Sequence, residues 1–233
     1  MGFFSDWKTK NQEGLSTADY IVNFIISDDY SLSSFENAND IELESAYEIL
    51  SSVRLCAFLD ELSKLQNVPK LTAADVPCFS TMENGASRLN ELLVFSPDGL
   101  TFSEIGYQLM NSVTEAAQKK YGENQSKLAA MMGLVTLSNT RPIVVKPTSF
   151  GNYLTHYSFS EKKDVLKKLL LRDPCIQNML FGVLRGFVKY KEVVSFLKPS
   201  TQIRRRTNVR YLVNFILEGS EYEILLSNID WEV

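Results

Sequence analysis

The side chains in this sequence best suited to chemistry are three consecutive arginines, Arg204, Arg205 and Arg206, with Thr207 and Arg210 close behind and Lys198 just ahead. A guanidinium fork matches two oxygens of a phosphate, or the O6 and N7 edge of guanine, with parallel hydrogen bonds. The run lies just inside the expected start of a helix, where the macrodipole disfavours positive charge by roughly a few tenths of a kcal/mol per residue. Three such charges point to an anion outside the chain; the alternative is a solvated surface run. On a helical wheel Arg204 faces outward with Thr207 and Arg210 nearest it. Arg205 and Arg206 share the inner half with the apolar stripe of Val209, Leu212, Val213 and Ile216.

Other chemistries lack their residues. His156 is the only histidine, and Cys56, Cys78 and Cys175 are far apart with no CxxC spacing, so neither a metal site nor a disulfide framework is supported. No GxSxG elbow and no phosphate-cradling glycine motif occurs. Pro97-Asp98 and Glu161-Lys162-Lys163 have the residue types of a metal-dependent nuclease core. They fall in a turn and a helix, whereas such a core needs them on paired strands around a divalent ion. The sequence therefore predicts no catalytic residue, no metal and no cofactor, and a protein that is not an enzyme.

The elements around the arginines follow from spacing. Thr201 or Ser200 is placed to cap the basic helix, Gly219 to end it, and residues 222–227 read as a strand. Upstream, 42–65 reads as one helix and 18–26 as a short one, with a polar loop over 27–40. A helix over 78–95, a turn at 96–99, a helix opened by the capping-box pair Thr101 and Glu104, and a helix over 123–133 come next. Two β-prone runs then flank the turn residues 138–141, which include Arg141. Helices over 148–157, 160–171, 175–188 and 190–197 lead back to the arginines. Helices followed by β-prone runs thus occur twice, over 79–146 and again toward the C-terminus.

Charge is polarised along this order. The net charge is −4, which taken alone argues against a nucleic-acid partner. Residues 1–75 carry 5 basic and 13 acidic side chains, so the remainder is basic, and residues 185–210 hold eight basic side chains against Glu192 alone. The N-terminus lacks a signal-peptide pattern and no apolar run is long enough for a membrane span, which predicts a cytoplasmic protein with no membrane partner.

Two local patterns resemble a known module. The run 121–135, with Ala129, Ala130, Gly133, Leu134 and Val135, followed by Lys146-Pro147-Thr148, Gly151 and Leu154, resembles the first winged helix of modules in bacterial restriction-system proteins. The run 201–216, with Thr201, Arg204, Arg205, Val209 and Leu212, is similar to the recognition helix of the second winged helix in such modules. The resemblance covers about residues 79–230. It implies a mainly α fold with small β wings: tandem winged-helix domains over 76–158 and 159–233, behind an acidic helical region over 1–75. It also implies binding of double-stranded DNA, as a regulator or as the recognition subunit of a defence, restriction or replication system. Lys127 and Arg141 of the first unit join Lys198, Arg204, Arg205, Arg206, Thr207 and Arg210 as expected DNA contacts. The competing expectation is a protein–protein adaptor that uses its winged helices, and the acidic N-terminal region, for docking.

Overall fold

The computed structural model describes residues 38–78, 81–110 and 114–233, together with Val22, Ile25 and Ile26. Those three are helical and buried; the rest of the short helix expected over 18–26, and residues 27–37 of the loop expected over 27–40, lie outside the described residues, and Asp40 already opens a helix. The described chain is mainly helical with two small sheets.

The expected single helix over 42–65 is two helices, α1 (Asp40–Ser52) and α2 (Leu55–Lys64). Asn39 and Glu42 form a capping box that starts α1. The break comes where Val53 turns extended and Lys168 donates to the carbonyls of Leu50 and Ser51. An ammonium there satisfies carbonyls that a continuing helix would otherwise have used.

A π-helical stretch, Asn84–Arg88, runs into α3 (Leu89–Val94), and strand β1 (Leu100–Thr101) leads straight into α4 (Phe102–Leu109) through the predicted Thr101–Glu104 capping box. Helix α5 (Glu115–Met131) is longer than the periodicity predicts. Its first two turns are polar and carry no apolar repeat, but Thr114 caps it by accepting from Ala117 N–H. The helix is held there by backbone contact: a Cβ on Gly122 would lie 2.0 Å from the carbonyl oxygen of Phe102, and one on Gly106 would lie 1.8 Å from that of Gln118. Glycine at both positions lets α4 and α5 touch main chain to main chain.

Helix α5 ends in a Schellman motif: Gly133, at φ 77°, lets Leu134 N–H reach Ala129 and Gly133 N–H reach Ala130. The chain then forms the predicted hairpin, β2 (Val135–Leu137) and β3 (Val144–Pro147), which with β1 makes a three-stranded antiparallel sheet in the order β1-β3-β2. Thr148 ties the unit shut. Its Oγ1 donates to Gly133 and accepts from Gly151 N–H, the N-cap contact of helix α6 (Ser149–Tyr153), while its backbone N–H donates to Leu134.

Helix α7 (Lys163–Leu170) follows, and it is held by lysines. Lys162, Lys167 and Lys168 are buried, and each ammonium ends on carbonyls at the close of another element: Leu154, Glu218, and Leu50 with Ser51. Positive charge is favoured at helix C-termini, which offsets part of the cost of burial. Desolvation still holds Lys168 down, to about 8.

The C-terminal unit comprises α8 (Pro174–Leu184), β4 (Val188–Lys189), α9 (Tyr190–Val193), α10 (Pro199–Leu217) and β5 (Ile229–Asp230). Two expectations fail here. Residues 223–228 are a 3-10 turn rather than a strand, and β5 pairs parallel with β4, so no second hairpin forms. Thr201 is no cap: α10 begins two residues earlier, with Pro199 at its first position and Lys198 before it. Proline suits that position because the amide it lacks would have been unpaired anyway.

One apolar core runs through both units and takes in the N-terminal helices. Tyr47 of α1 stacks on Tyr157 at 3.9 Å, and Phe58, Leu59 and Leu62 of α2 are fully buried.

Candidate nucleic-acid interface

Helix α10 is aimed by two buried side chains. The Tyr190 hydroxyl donates to the Gln202 carbonyl at 3.0 Å, and Gln202 Nε2 donates to Leu197 at 2.8 Å and Val194 at 3.3 Å. These bonds fix the turn between α9 and α10. A short helix, a clamped turn and a long helix with its back face on Val209, Leu212, Val213 and Ile216 thus follow one another.

The arginines divide as the wheel predicts. Arg204 is exposed together with Thr207 and Arg210, and Lys198 stands exposed ahead of the helix. Arg205 turns inward and donates Nη1 to the carbonyls of Ala73 and Val76. Arg206 donates to the Trp231 carbonyl at 3.3 Å, and Arg210 lies 6.0 Å from the centre of the Trp231 ring. Two of the three arginines therefore hold other parts of the chain, while still lining surface grooves.

Three grooves gather the basic residues. In a cleft of about 320 Å³, Lys120 and Lys127 of α5 face Arg205 of α10 across the segment 73–78 and the start of α8. Lys119 and Arg141 line a second, of about 520 Å³, between α5 and the hairpin. Arg206, Thr207 and Arg210 line a third, of about 530 Å³, with Trp231 and Glu232. Of the residues expected from sequence, Lys127 thus shares a cleft with Arg205, and Arg206, Thr207 and Arg210 share another. Arg141 stands with Lys119 instead, and Lys198 lines none of the three.

Acid groups temper this charge. Glu123 binds Lys127 at 2.6 Å and Lys120 at 2.9 Å. Partial burial pushes its carboxyl up, but the two lysines outweigh that and hold it below the usual range. Asp173 caps α8 by accepting from Cys175 and Ile176, and full burial pushes its carboxyl up to about 7 despite those bonds.

Periodicity misses several of these residues. Lys119 and Lys120 lie in the polar half of α5, which reads as a connector; Thr114 before Glu115 is the cap signal that locates it. Trp231 sits beyond the last periodic segment, and nothing in its spacing marks it. Among the described residues no group of three or more His, Cys, Asp or Glu side chains gathers as a metal site would require, and no helix is long and apolar enough to cross a membrane. No family model, curated protein or solved structure matches the chain.

Proposed function

We propose that this protein binds double-stranded DNA through two helix-turn-helix units, as a regulator or as the recognition subunit of a defence, restriction or replication system. The unit over 82–147 has the element order and β1-β3-β2 sheet of a winged helix, with α5 as its recognition helix and 138–143 as its wing. The unit over 174–230 repeats the order helix, strand, helix, long helix, and presents α10 without a hairpin wing. The observation that carries the reading is that the third helices of both units line one cleft with Lys120, Lys127 and Arg205. Charge from both units is thereby available to one duplex. Arg204, Thr207 and Arg210 form the outward face of α10, where side chains of a recognition helix meet base edges. Arg205 and Arg206 serve chiefly to position that face. The resemblance of 121–135 and 201–216 to restriction-system modules supports the same assignment.

The adaptor reading draws on one observation: Phe95 and Tyr107 of the first unit are 86% and 68% exposed. Salt separates the two. Binding through about six phosphate contacts should weaken roughly 1,000-fold between 50 and 200 mM salt, measured by fluorescence anisotropy on a random-sequence duplex. An adaptor would show no affinity for the duplex even at 50 mM.

A further inference from the structure

The third groove has a composition that phosphate contacts alone do not require. Its wall is the indole of Trp231, packed on one side against the fully buried ring of Tyr190 with centroids 5.9 Å apart at 35°. Arg210 lies 6.0 Å from the indole centre, and Arg206, which also lines the groove, reaches the Trp231 carbonyl with Nη1. Thr207 adds a hydroxyl from the same face of α10. Glu232 brings an opposing carboxylate to the rim, and its backbone is pinned by a hydrogen bond to Asp230.

An aromatic ring braced from behind, two guanidinium groups and one carboxylate acceptor make a set for a single nucleotide. The indole offers a stacking face to a base, and base–aromatic stacking tolerates any sequence. The arginines suit the phosphate, and a rim carboxylate can accept from the amino group of a base edge. A fully paired duplex cannot use this set, because its bases are stacked on one another. Resting on the DNA-binding reading above, we propose that the groove between α10 and Trp231 takes an unpaired nucleotide, so that the protein prefers duplexes with a single-stranded end over blunt ones.

The sequence holds only two tryptophans, so a Trp7→Phe protein leaves Trp231 as the sole indole reporter. This protein is titrated at 50 mM salt with a blunt duplex and with the same duplex carrying a four-nucleotide overhang. The overhang should bind about tenfold tighter and quench Trp231 emission, whereas the blunt duplex should leave emission unchanged. Trp231→Ala in the wild-type background should erase the preference, so that the two duplexes bind with equal affinity. Because Trp231 packs on Tyr190, Arg206→Gln serves as the second variant: it should shrink the preference, and unchanged Trp231 emission in the absence of DNA checks that the indole keeps its place without the bond to its carbonyl. Equal affinity for the two duplexes, with unchanged emission, would overturn the nucleotide site and leave duplex binding standing. Failure to bind either DNA would overturn both.

Discussion

Asp173 shows how a single side chain can serve the fold at a cost. Its carboxylate caps α8 by accepting from two backbone amides, yet full burial raises its pKa to about 7, far above the ordinary 3.8. Burial outweighs the amides because two neutral donors do not replace the water an ionised carboxylate loses. The folded state then holds a proton that the unfolded state releases between about pH 4 and 7. This contribution to stability is full below pH 3.8 and is lost as pH rises through 7. Asparagine caps as well as aspartate and carries no charge. Asp173→Asn should therefore leave stability nearly unchanged at pH 4.5 and raise it by more than about 1 kcal/mol at pH 8. Urea unfolding at the two pH values measures it; a variant that is destabilised equally at both would show that the raised pKa plays no part.

Elements were legible in the sequence where they rest on local rules, and obscure where distant parts decide them. The capping box at Thr101, the hairpin around 138–141 and the inward stripe of α10 all depend on residues within a few positions of one another. The break between α1 and α2 depends on Lys168, more than 110 residues away, and the first turns of α5 depend on α4. At the candidate site, the outward face of α10 could be read from its wheel. That Arg205 and Arg206 would turn back to hold carbonyls of Ala73, Val76 and Trp231 could not, because those partners are tertiary. The α4–α5 contact carries a sharp prediction. Gly106→Ala or Gly122→Ala places a methyl group within about 2 Å of a carbonyl oxygen, so the helices must part. Overpacking of this kind costs about 3 kcal/mol. The unfolding midpoint should fall accordingly, and duplex affinity should fall with it because α5 is displaced; an unchanged midpoint would refute the close approach.

At the scale of the whole molecule, the acidic N-terminal region is built into the C-terminal half. Tyr47 stacks on Tyr157, Asn178 donates to the Pro69 carbonyl, Gln177 to that of Ile26, and Arg54 pairs with Glu221 at 2.6 Å. Removing residues 1–69 would expose the buried faces of α7 and α8. The remaining fragment should lose cooperative thermal unfolding by circular dichroism, and a fragment melting like the full chain would show two independent parts. The end of the acidic region, residues 73–75, lines the cleft that α5 and α10 share, where Asp75 and Asp173 stand with Lys120, Lys127 and Arg205. The most direct test of the outward face of α10 reverses its outermost charges. Arg204 is exposed with no ion pair among the described residues, and Arg210, also exposed, lies 6.0 Å from the centre of the Trp231 ring. Exposed charges of this kind contribute little to folding. Arg204→Glu with Arg210→Glu should lower duplex affinity at least about 100-fold, by anisotropy at 50 mM salt, with the thermal midpoint within a few degrees of wild type. A double variant that stays folded and binds the duplex as tightly as wild type would contradict the assignment of α10 to DNA.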